Sequence, residues 1–100
     1  MIDIYFTCRN GKEAERISEA LVKERLAACC NIVKARSVYI WKDRLCNGKE
    51  CIVFAKTSEK KSRLCEARIK EMHSYELPAI ISLPAKASKE YDKWVRESVK

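Results

Sequence analysis

Ile2, Ile4 and Phe6 alternate with Asp3, Tyr5 and Thr7, the period-two pattern of a strand with one buried face. Asn10-Gly11 ends that pattern. From about Lys12 to Arg25 the apolar spacing becomes helical, with Ala14, Ile17, Leu21 and Val22 on one stripe. A second strand region follows from about Ala28 to Lys42, with a charged interruption near Lys34 to Arg36. The dipeptide Asn47-Gly48, a strong two-residue hairpin signal, then precedes a third strand from Glu50 to Thr57. Ser58 suits the N-cap of a second helix, Glu59 to His73, whose stripe is Leu64, Cys65, Ile69 and Met72. Pro78 introduces a short buried strand, Ala79 to Leu83, and a last amphipathic helix covers about Ser88 to Val99.

This order predicts an α+β fold, a ferredoxin-like β-α-β-β-α-β sandwich with a C-terminal helix. Residues 1–100 read as a single domain, without linker, repeat or low-complexity stretch. Both main helices of such a fold lie on one face of a four-stranded sheet, so the other face is left uncovered. In the middle strands both side-chain parities are apolar: Val38 and Ile40 alternate with Tyr39 and Trp41, and Ile52 and Phe54 with Cys51, Val53 and Ala55. A lone copy would therefore expose a large apolar surface, which predicts self-association.

Composition narrows the class. At 47% hydrophobic, 100 residues can bury a core without disulfide or metal staples. Nothing approaches the roughly 20 apolar residues of a membrane span, and the opening Met1-Ile2-Asp3-Ile4 lacks an export signal, so the expected setting is soluble and cytoplasmic, with no membrane partner. The six cysteines are then expected to be reduced, mostly as small core residues. The formal charge of +7 invites a nucleic-acid reading, but many basic residues alternate with glutamates along predicted helices, as solvated faces do. The third strand also lacks the glycine-and-aromatic pattern of RNA-recognition domains, so no nucleic-acid partner is expected.

Candidate chemistry concentrates in His73-Ser74-Tyr75-Glu76-Leu77-Pro78, which holds the only histidine. An imidazole there serves either as a helix C-terminal cap or as a metal ligand, with oxygen donors of Tyr75 and Glu76 beside it. The cysteines lack C-x-x-C spacing, which argues against a structural zinc site. If Asn47-Gly48 forms the turn, Cys46 and Cys51 become diagonal neighbours, either a soft-metal clamp or two unrelated thiols. Lys56 could pair with Glu76 around an anion or metal, or form an ordinary ion pair. No phosphate loop, carboxylate pair or nucleophile-base motif is present, so an enzyme is not expected.

Several segments, in this order and spacing, resemble the CutA divalent-cation tolerance family. They are Leu21-Val22-Lys23-Glu24-Arg25-Leu26-Ala27-Ala28-Cys29-Cys30-Asn31, Tyr39-Ile40-Trp41, Lys56-Thr57, His73-Ser74-Tyr75-Glu76-Leu77-Pro78-Ala79-Ile80 and Tyr91-Asp92-Lys93-Trp94. The resemblance implies a ferredoxin-like fold in a tight homotrimer, like the trimeric PII signalling proteins, and a link to tolerance of copper and other divalent ions. It implies no reaction and no obligatory cofactor. Carried over by position, His73, Cys29 and Glu76 are the expected metal residues, and Asn31, Trp41, Lys56 and Tyr75 the expected ligand pocket. Copper is the favoured ion, because imidazole and thiolate suit it and Cu(II) tops the affinity order. The alternative expectation is a signalling or structural trimer that binds a small anion or partner protein in its intersubunit cleft, with Lys56 central. Ser74 stands where the family usually has proline, which predicts a less stiff turn beside His73, and Asp43 stands where glycine is usual.

Overall fold

The computed structural model describes residues 1–100 and contains seven elements. They are β1 (Ile2–Cys8), α1 (Gly11–Lys23), β2 (Cys29–Trp41), β3 (Arg44–Thr57), α2 (Ser62–Met72), β4 (Ile80–Pro84) and α3 (Lys89–Ser98). The strands form one antiparallel sheet in the order β2-β3-β1-β4, the ferredoxin-like arrangement. No helix is long and apolar enough to cross a membrane.

The core follows from the two periodicities. Ile4, Phe6 and Cys8 of β1 and Cys51, Val53 and Ala55 of β3 point to the helix side of the sheet, where Ala14, Ile17 and Leu21 of α1 and Cys65 and Ile69 of α2 meet them. Each fully buried Ile, Leu or Phe contributes about 1.5–3 kcal/mol of transfer free energy. Val22 and Leu64, both expected on buried stripes, are exposed, because each helix presents only a narrow strip to the sheet. The opposite parity, including Tyr5, Ile52, Phe54, Ile81 and Leu83, lies on the open face.

Asn10 caps α1, its side chain accepting the Glu13 N–H at 2.9 Å. The helix stops two residues before the predicted Arg25, which takes φ 57° and turns the chain toward β2. The Arg25 guanidinium then donates to the Ser98 carbonyl at 3.2 Å, tying this corner to α3. The start of α2 also differs from expectation. Ser58 accepts the Lys61 N–H at 3.2 Å and organises a separate turn, and the helix begins only at Ser62.

The largest departure is the hairpin. Asn47-Gly48 lies inside β3, paired with Val38 and Ser37, and the chain reverses instead at Lys42 and Asp43, with φ 50° and 63°. Two successive left-handed residues make the primed turn that matches strand twist. Asp43 tolerates a conformation that glycine adopts freely, which accounts for the usual glycine there. The predicted interruption at 34–36 is absent: Lys34, Ala35 and Arg36 pair in register with Cys51, Glu50 and Lys49. Their charge reflects solvent on both sides of the arm rather than a break. Cys46 and Cys51 therefore lie on one strand, facing Tyr39 and Lys34 respectively, and form no clamp. All six thiols are free.

At about 3.3 Å per residue, these two strands account for most of the molecule's 44 Å length. Val38, Ile40 and Leu45 project from the hairpin arm at 66–74% exposure.

Candidate functional site

The donors of the site come from the end of β1, the first turn of α1 and the segment after α2. Cys8, the last residue of β1, faces the core and is fully buried. Glu13 is turned inward beside it, 5% exposed. One carboxylate oxygen accepts the Arg9 N–H at 3.1 Å and the other the Ser74 N–H at 2.9 Å. Burial alone would raise its pKa, but these bonds from Ser74 and Arg9 hold the carboxyl below its usual range. A proline at 74 has no N–H to give, so the residue expected to loosen this turn supplies one of its fastenings.

His73 does not cap the last carbonyls of α2. Its ring reaches across to β1, where Nε2 lies 2.7 Å from the Thr7 carbonyl, and Nδ1 accepts the Tyr75 N–H at 3.0 Å. The two bonds together select the neutral Nε2–H tautomer. Potential ligand atoms of Cys8, Glu13 and His73 all lie within 4.8 Å of one another, the one group of three metal-capable side chains in the fold. Four-coordinate ions with bonds of 2.0–2.3 Å set their ligands about 3.5 Å apart, so a small contraction would close this set on an ion. Burial, and then the Glu13 charge, push the Cys8 thiol up to about 12, so it carries its proton.

Cys29 and Glu76, the other two expected metal residues, are elsewhere. Cys29 opens β2 opposite Lys56, whereas Thr7 lies opposite Ile52, four residues away along β3, or about 13 Å. Glu76 is a solvent-exposed carboxylate 3.6 Å from Lys42. With Trp41 and Tyr75 it lines a cleft of about 620 Å³ between the hairpin arm and the segment before β4, whose walls also include Tyr5, Tyr39 and Ile81. The Tyr75 hydroxyl donates to Glu50 at 2.6 Å, and burial, then that carboxylate, raise its pKa well above the ordinary phenol value.

Asn31 and Lys56 accompany Cys29 at the far end of the open face. The Lys56 ammonium donates to the Asn31 side-chain oxygen and stands opposite Asp3 in the register. One Asp3 oxygen is buried without a partner; burial raises its pKa, and Lys56 partly offsets that. The seven expected residues thus divide among three places rather than one. Of the two metal-capable residues missed, Cys8 and Glu13, only Glu13 left a partial trace in sequence: Asn10 followed three residues later by Glu13 has the spacing of a capping box, which places a carboxylate in the first turn.

Comparison with known proteins agrees with the fold. The CutA1 divalent ion tolerance protein family matches residues 2–98. A divalent-cation tolerance protein CutA of Thermotoga maritima is 38% identical over 100 residues, covering 99% of each chain. The crystal structure of CutA1 from Pyrococcus horikoshii superposes with a TM-score of 0.96 at 36% identity, over 100% of this chain and 99% of that one. A Nostoc protein described as PII-like protein CutA gives 0.95 at 28% identity, over 100% and 98% of the two chains.

Proposed function

Because the chain belongs to the CutA1 divalent ion tolerance family, we propose that it acts by holding a divalent cation, copper foremost, on Cys8, Glu13 and His73, without turnover. The observation that carries this reading is the convergence of thiol, carboxylate and imidazole from three segments within 4.8 Å. The donor set fits a borderline or soft ion, for which Cu(II) leads the divalent affinity order. A bound cation supplies the charge that lets a buried thiol release its proton. The chain's own residues do the rest. Glu13, fastened by Arg9 and Ser74, stays ionised at neutral pH. His73 joins by releasing either the Thr7 carbonyl or the Tyr75 N–H. A fully buried, protonated Cys8 supports binding over catalysis, since a thiol that meets no solvent is a poor nucleophile.

The reading includes a homotrimer working where thiols stay reduced, in the cytoplasm. The apolar open face and the projecting Val38, Ile40 and Leu45 support assembly, since monomers rarely leave such patches bare. Native mass spectrometry of the reduced protein, with and without copper, is the test. About one copper per subunit of a trimer is expected, falling by at least tenfold in affinity for Cys8→Ser and His73→Ala. Unchanged copper affinity in both variants would remove the assignment.

A second reading, a small ligand in the 620 Å³ cleft of a signalling or structural trimer, is favoured by its aromatic walls Tyr39, Trp41 and Tyr75. Thermal stabilisation by an organic ligand that is lost in Trp41→Ala, with copper giving none, would put it ahead.

A further inference from the structure

Four cations converge on the helix side of the hairpin arm, just beyond the end of β1. Lys34 and Arg36 of β2 and Lys49 of β3 share one face, and Arg36 stands directly opposite Lys49 in the register. Arg9 joins them from the β1–α1 turn. With Asn10 and Gly11, these residues line a cleft of about 500 Å³ that shares no residue with the Cys8 group and only Glu50 with the aromatic cleft.

None of the four forms an ion pair, although seven ion pairs exist elsewhere in the molecule. Arg36 reaches only the neutral Asn47 side chain, at 3.4 Å. The one carboxylate in the lining, Glu50, is engaged by the Tyr75 hydroxyl at 2.6 Å. Like charges directly opposed on a sheet destabilise it, and this chain has glutamates in plenty that could have stood at one of these positions. An uncompensated cationic pocket is stabilised by an anion. Planar guanidiniums bind phosphate oxygens in pairs and ammoniums bind them as point charges, while N–H groups at the start of α1 add neutral donors.

We infer that this cleft is a binding site for a small multiply charged phosphate anion, of the oligophosphate class. Four cations against one engaged carboxylate favour several negative charges over one, and the volume suits a compact ligand rather than a surface-spanning polymer. The site stands independently of the cation reading, with which it shares no ligand residue. Lys56, the residue expected from sequence to receive an anion, has the Asp3 carboxylate opposite it in the register, whereas Lys34 and Arg36 stand opposite Cys51 and Lys49.

The test is calorimetric titration of the full chain with inorganic tripolyphosphate, in parallel with sulfate and with a single-stranded oligonucleotide. Tripolyphosphate is expected to bind with an affinity that falls as salt rises, and sulfate at least about tenfold more weakly. Arg36→Gln combined with Lys49→Gln should weaken tripolyphosphate at least about tenfold, while Lys89→Gln, outside the cleft, should leave it unchanged. The double variant should also melt at a higher temperature without ligand, because it removes the repulsion; this readout confirms that the variant is folded. Equal tripolyphosphate affinity in the double variant and the parent would overturn the site. Binding of the oligonucleotide tenfold tighter than tripolyphosphate would also overturn it, by making this face a nucleic-acid surface.

Discussion

The β2–β3 hairpin runs through two environments, and the same pair of strands behaves differently in each. From Cys51 to Thr57, β3 presents buried residues to α1 and α2. From Arg44 to Lys49 the ladder continues, but no helix lies over it, and Leu45 is left 74% exposed. Backbone pairing is therefore not what distinguishes a core strand from a projecting one. The difference is the length of the helices: 13 and 11 residues at 1.5 Å rise cannot cover strands of 13 and 14 residues at more than twice that rise. The bare arm is free for other surfaces, apolar residues for association and cations for an anion.

Substitution at the two ends should separate these roles. Phe6→Ala, in the covered half, should cost about 3–5 kcal/mol in chemical denaturation, enough to unfold much of the population at moderate temperature. Ile40→Asp, on the arm, should change the stability of a protomer by less than about 0.5 kcal/mol while dissociating the proposed trimer in sedimentation. Equal effects of the two on folding would erase the distinction between covered and bare halves.

Outside the hairpin, Glu13 fastens the β1–α1 turn to the segment after α2. Glu13→Gln should cost about 1–3 kcal/mol, because the new amide N–H group must face one of two backbone donors, Arg9 or Ser74. The pH dependence follows from the same bonds. A carboxyl whose folded pKa is below its unfolded value stabilises the fold at neutral pH, and that contribution is lost as pH falls from the ordinary carboxyl range through the depressed folded value. Acid titration of stability should be flatter for the Gln variant. Ser74→Pro should act in the same direction with a smaller loss, about 1 kcal/mol, since His73 at φ −75° and ψ 142° already accepts a following proline and only the N–H to Glu13 disappears.

The smallest effect bears on the arm itself. Gly48 has ordinary φ, and a Cβ there meets nothing within 4 Å, so Gly48→Ala should stabilise by about 0.5 kcal/mol through the unfolded chain. Were Asn47-Gly48 the turn, the same change would destabilise. Thermal melting decides between the two signs.

Much of the fold was legible because it depends on local period. The first strand, the first and last helices to within two residues at their ends, and the burial of Ala14, Ile17 and Leu21 all follow from spacing alone. The turn was misplaced because Asn-Gly is a preference of two residues, whereas the register is set by the whole length of pairing on either side. Likewise His73 and Tyr75 stood out by residue type, and the structure places their rings 4.9 Å apart. Cys8 carries no such mark, and the capping-box spacing of Glu13 places its carboxylate in the first turn without distinguishing it from an ordinary cap.

The order and type of the elements, the sheet faces and the family are written along the chain, because periodicity, punctuation and motif spacing are properties of sequence neighbours. Tertiary structure alone decided which donors meet. The Ser74 N–H reaches Glu13 across 61 residues and His73 reaches Thr7 across 66, and such pairings depend on how far each strand runs before the chain turns back. For the same reason the three cations of the arm and Arg9 of the β1–α1 turn, unremarkable one by one, became a pocket only when β2 and β3 were zipped in register beside the start of α1.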